Sequence, residues 1–131
     1  MEKYGKIRHF TDIESWKIAR EARKKFYELL QHLPDKERYV LEPQIRRACI
    51  SATANIAEGF GRFHYQENIQ FCRQSRGSMY ELQDHLITCL DEKYVEESRY
   101  NELFSLLENG IKALNGYIRM LKRQKEIEMG K

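Results

Sequence analysis

Glu81, Asp84 and His85 are the chain's nearest approach to a set of metal ligands. Helical bundles build di-metal centres from glutamates and Glu-x-x-His pairs on facing helices. Here Glu81 and His85 are four apart, and no second copy of the pair occurs. The stretch therefore reads as a solvated helix face, and no metal ligand is assigned. Gly59-x-Gly61 follows a predicted helix rather than a strand and lacks the third glycine of a dinucleotide fingerprint. The chain has no P-loop lysine, no G-x-S-x-G elbow and no H-E-x-x-H pair. Ser51, Ser75 and Ser78 fall inside predicted helices without a base beside them. With no nucleophile, base or metal set, the sequence predicts a protein that is not an enzyme and uses no cofactor.

One polar constellation remains. Arg47, Ser51 and Glu58 share a stripe of one predicted helix, with Asn55 one turn from its end. A carboxylate near a helix C-terminus is disfavoured by about 0.3–1 kcal/mol. Glu58 therefore needs a cation, and Arg62, Arg73 and Arg76 are the candidates. Gly77 within the third predicted helix also costs roughly 1 kcal/mol against alanine, which is tolerable where another backbone passes close by.

These residues sit on four helices. The first is predicted over about 12–33, opened by a Thr11/Glu14 capping box and carrying the stripe Ile13, Trp16, Ala19, Phe26, Leu29, Leu30 and Leu33. The second covers about 43–58, with Pro43 at its first position and Gly59 just past its end. The third covers about 64–92, with Ile69, Cys72, Met79, Leu82, Leu86 and Leu90 on one side. The fourth covers about 97–124, and a frayed polar tail is expected after it. Its residues Leu103, Leu107, Gly110, Leu114, Tyr117 and Leu121 alternate steps of four and three, the repeat of a left-handed bundle. Short loops between long amphipathic helices predict an all-α, up-down-up-down antiparallel four-helix bundle, one domain over residues 1–131.

Composition agrees. The chain has 131 residues and a net charge of +3, from 23 Lys and Arg against 20 Asp and Glu. Residues 1–33 carry 8 basic and 5 acidic groups, and residues 63–95 carry 3 and 5. This is mild basicity, without a basic tail. Cys49, Cys72 and Cys89 form neither a disulfide framework nor a C-x-x-C pair and read as small buried hydrophobes in a reducing cytoplasm. No apolar run reaches the roughly 20 residues of a membrane span, and residues 1–10 lack a signal-like apolar stretch, so no membrane partner is expected.

Two features exceed what a lone bundle needs. Residues 48–57 hold no charge, and Ile50, Ala54 and Ala57 fall broadly opposite the core side formed by Ile45, Cys49, Ala52 and Ile56. A helix that is apolar or small all round is usually buried all round. The fourth helix carries a second stripe, Phe104, Ile111 and Ile118, off its main seam. The expected interface between copies therefore comprises Arg47, Ile50, Ala54, Ala57 and Glu58 with Phe104, Ile111 and Ile118. The residues alone lead to a soluble helical domain that self-associates.

Four runs carry a family resemblance. Phe10-Thr11-Asp12-Ile13-Glu14-Ser15-Trp16-Lys17, Gln44-Ile45-Arg46-Arg47-Ala48, Asn55-Ile56-Ala57-Glu58-Gly59-Phe60-Gly61-Arg62 and Gly77-Ser78-Met79-Tyr80-Glu81-Leu82 occur in order. They resemble the motifs of the bacterial four-helix-bundle family first noticed in intervening sequences of large-subunit ribosomal RNA genes. The resemblance implies a small all-helical protein, and some members assemble as ring-like homopentamers. The related accessory variability proteins of diversity-generating retroelements form basic pentameric barrels that bind nucleic acid and a reverse transcriptase. It therefore implies nucleic acid, RNA or DNA, as a partner, contacted through Arg20, Lys24, Arg46, Arg62, Arg73, Lys122 and Arg123. A protein-interaction scaffold, such as a reverse-transcriptase accessory protein, is the alternative. At +3 per chain this sequence departs from a strongly basic barrel, although five copies would carry about +15.

Overall fold

In a computed structural model describing residues 6–130, two short 3-10 turns and four α-helices succeed one another, with no strand among the described residues. The helices are α1 (Glu14–Leu30), α2 (Leu41–Phe60), α3 (Tyr65–Asp91) and α4 (Glu97–Met129). Each packs on its neighbours in chain order, and α4 closes back on α1. Side-chain pairs show that neighbours run antiparallel. Arg47 meets Glu81 and Ser75 meets Ala52 between α2 and α3, while Gln83 meets Glu108 and Arg76 meets Asn115 between α3 and α4. Arg99 meets Glu28 and Lys25 meets Glu102 between α4 and α1. This is the predicted four-helix bundle.

The helix ends depart from the sequence pattern in four places. Thr11 does not open α1. The Asp12 carboxylate instead accepts the backbone N–H groups of Arg8 and His9, at 3.0 and 3.1 Å, and caps a 3-10 turn over Phe10–Asp12. The chain then straightens at Ile13, and α1 starts at Glu14. At its other end α1 stops at Leu30, and residues 31–33 tighten into i→i−3 bonds before Pro34, which disfavours helix at the residue preceding it. Helix α2 starts two residues earlier than predicted. Pro43 is its third residue, where its missing N–H is still no loss. Gly59 lies inside α2 rather than beyond it, and the tail after Gln124 remains helical to Met129. A Lys125–Gln66 hydrogen bond ties that last stretch to α3.

The seam predicted for α4 is buried from Leu103 to Leu121. It meets Phe26, Ile45, Ile56, Met79, Leu82 and Leu86 in one continuous core. Small polar groups tack α2 to α3 within it. The Ser75 hydroxyl donates to the Ala52 carbonyl at 2.6 Å, and the Ser78 hydroxyl donates to Ser51 Oγ at 2.8 Å. Arg23, the break in the apolar stripe of α1, donates to Thr53 Oγ1.

Candidate nucleic-acid interface

Antiparallel packing sorts the charges by height along the bundle. One half takes the start of α1, the end of α2, the start of α3 and the end of α4. Over residues 6–20, 48–80 and 109–130 it holds 12 Lys and Arg against 6 Asp and Glu. The other half, residues 21–47 and 81–108, holds 9 against 13. The sign of each half is the same wherever α1 is divided between Ile18 and Phe26. A net charge of +3 thus conceals a molecule with a basic end and an acidic end.

At the basic end a groove of about 310 Å³ opens between the start of α3 and the end of α4. Arg73, Lys122 and Lys125 line it, with Ile69 and Met129 as apolar wall and Glu126 as the one carboxylate. Arg73 and Lys122, 49 positions apart in the chain, were both candidates from sequence, and the fold brings them together. Lys125 was missed, because its stretch was read as frayed tail. Its place in the extended α4 is what puts it on the groove.

The other candidate cations are dispersed. Arg123 is exposed on α4 beside Lys122. Arg62 lies at the same end but is already engaged, by Glu58 at 3.1 Å and Glu67 at 3.6 Å, and its guanidinium lies over the Phe71 ring. It supplies the cation that Glu58 was expected to need. Arg20 and Lys24 share a separate shallow hollow on α1 with Lys17, Lys25, Glu21 and Glu28. Arg46 belongs to the acidic half, bonded to Glu42 at 3.1 Å and stacked over Tyr27 at 4.8 Å. The seven candidates therefore do not form one surface.

The surface expected between copies divides in two. On α2, Ile50 is 53% exposed and Ala54 is exposed, with Arg47 and Glu58 on the same outer face and Ala57 half-buried. Across the Ser51–Ser78 link, Gly77 of α3 is exposed and a β-carbon there would meet nothing within 4 Å. The chain itself thus supplies no close neighbour for that glycine. On α4 the expectation is corrected. Ile111 and Ile118 are only 3% and 4% exposed within the single chain, and Phe104 packs on the core edge against Tyr100. Helix α4 is flanked by both α1 and α3, so its apolar sector is wide enough to bury a second stripe without a partner.

No group of three His, Cys, Asp or Glu among the described residues could hold a metal ion. Glu81 and His85 bond to each other at 3.0 Å, and Glu81 also holds Arg47 at 2.7 Å. Burial pushes the thiols of Cys49 and Cys72 up to about 12 and that of Cys89 to about 11, which leaves them protonated and unreactive. No helix among the described residues is long and apolar enough to cross a membrane.

A family model described as 23S rRNA-intervening sequence protein matches residues 11–116, most of the chain. The protein belongs to that family. No curated protein matches it. In this 23S rRNA-intervening sequence protein the Asn55–Arg62 run serves packing more than chemistry. Asn55 Nδ2 donates to the carbonyl and the hydroxyl of Ser51, both at 2.9 Å, Glu58 pairs with Arg62, and Gly59 lets α3 approach.

Proposed function

We propose that this protein is a non-enzymatic, self-associating helical module that holds nucleic acid, RNA foremost, by its phosphates at the basic end. The observation that carries this reading is the separation of charge along the bundle, with Arg73, Lys122 and Lys125 converging on one groove. An acidic far end turns the molecule so that the basic end meets a polyanion first. Self-association draws support from the uncharged outer face around Ile50, Ala54 and Gly77. A ring of five, as in the ring-like proteins its motifs resemble, would set several basic ends side by side and multiply a modest charge.

The test is the salt dependence of binding to a labelled RNA strand. Log affinity should fall linearly with log salt, with a slope near −0.7 for each phosphate contacted. Lys122→Glu together with Arg123→Glu should weaken binding and flatten the slope while leaving the oligomer intact by sedimentation. Binding that is indifferent to salt between about 50 and 200 mM would reject the reading.

A further inference from the structure

Phe63 stands 87% exposed in the turn between α2 and α3, at the basic end of the bundle. Core packing does not explain a phenylalanine in that position. Three residues later Gln66 bonds to Lys125 and lines the basic groove. From Tyr65 to Arg73 the groove side of α3 extends about 12 Å at 1.5 Å per residue. An exposed ring therefore borders a run of cations, and Ile69 and Met129 add apolar wall between them.

We infer that this end of the protein selects unpaired nucleic acid: Phe63 stacks on a splayed base while Arg73, Lys122 and Lys125 hold the neighbouring phosphates. The inference rests on the phosphate-binding reading above and narrows it to a substrate class. A duplex offers the same phosphates, but its base faces are stacked on one another and closed to a side chain. A single strand offers both, and every base has a face to stack, so the preference would be for strandedness rather than sequence. Only the geometry of aromatic beside cations enters here, so RNA and single-stranded DNA share the chemistry.

The test uses the full chain and fluorescence anisotropy with four probes of about 16 nucleotides: single-stranded RNA, single-stranded DNA, an abasic strand and a duplex. The intact protein should bind the two base-bearing strands about five-fold or more tighter than the abasic strand and the duplex. Phe63→Ala should lose about that factor on the base-bearing strands alone, and Phe63→Trp should retain it. Lys122→Glu should weaken all four. Phe63 is exposed, so circular dichroism should show each Phe63 variant folded as the parent. Should Phe63→Ala bind every probe like the parent, with salt dependence intact, stacking is rejected and the phosphate reading stands. Tighter binding to RNA than to single-stranded DNA, with both losing the same factor in Phe63→Ala, supports stacking and adds a contact to the ribose hydroxyl. Should no probe bind at about 50 mM salt, both fall together.

Discussion

A β-carbon on Gly59 would lie 2.7 Å from Oδ1 of Asn68, closer than such atoms approach. Asn68 cannot yield. It is fully buried, its amide donates to Tyr117 Oη at 3.2 Å, and Cys72 donates to its carbonyl oxygen. Phe71 Cβ and the Asn68 carbonyl would be met at 3.0 and 3.1 Å as well. Gly59→Ala should therefore destabilise by about 1–3 kcal/mol, although alanine alone favours a helix by about 1 kcal/mol. Thermal or urea unfolding of the variant checks this, and an unchanged midpoint would mean that α2 and α3 are not in contact at Gly59.

Gly77 lies in the same kind of helix with the opposite surroundings, since nothing would touch its β-carbon. Gly77→Ala should raise the stability of the isolated chain by about 0.5–1 kcal/mol. If a second copy approaches there, the same change should weaken association. Denaturation and sedimentation on one sample should then move in opposite directions.

Ile50 and Ile111 give a sharper contrast. Ile50→Asp puts a carboxylate on an exposed face and should leave circular dichroism and melting nearly unchanged while reducing the sedimenting mass. Ile111→Asp buries an unpaired charge in the core and should cost more than about 3 kcal/mol, enough to unfold many domains of this size. An oligomer unaffected by Ile50→Asp would remove α2 as the contact.

These contrasts mark what the sequence reveals. Helix number, order and core seam follow from apolar spacing, because a buried stripe must repeat with the helical period, as Leu103 to Leu121 does. The second stripe of α4 reads as surplus because one sequence does not show how wide a sector two flanking helices cover. Gly59 looks like a helix terminator because glycine's two uses, freedom of backbone and absence of a side chain, leave the same letter. The groove is only half visible. Arg73 and Lys122 are ordinary surface cations until α3 and α4 are set antiparallel, and Lys125 joins them only because α4 outlasts its apolar pattern.

Helix α3 ends in a way that invites improvement. Lys93 has φ of 64°, in the left-handed region, while Tyr94 N–H donates to the Cys89 carbonyl and Lys93 N–H to that of Leu90. This is the bonding of a Schellman motif, whose left-handed position glycine usually fills. A side chain there crowds the following carbonyl, by roughly 1–2 kcal/mol for a left-handed residue, partly offset by the greater freedom glycine has when unfolded. Lys93→Gly should stabilise by about 0.5–1 kcal/mol. A lower melting temperature in the variant would show that Lys93 makes a contact stronger than this strain.

The residue after that turn gives the chain a pH dependence at the alkaline end. The Tyr94 hydroxyl donates to Glu37 Oε2 at 2.7 Å, which links the α3–α4 turn to the 3-10 turn over Asp35–Glu37. A carboxylate accepting its proton pushes the phenol from the usual 10 up to about 12. The folded state thus holds this proton more tightly than the unfolded chain. Its contribution is complete below about pH 10, falls as pH rises, and is gone above about 12. Tyr94→Phe removes the linkage, so the melting-temperature gap between parent and variant should close as pH rises from about 9 to about 12. Lysine deprotonation acts on both proteins and cancels in the difference. A gap that stayed constant over that range would mean that the Tyr94 proton is held no more tightly in the folded chain than in the unfolded one.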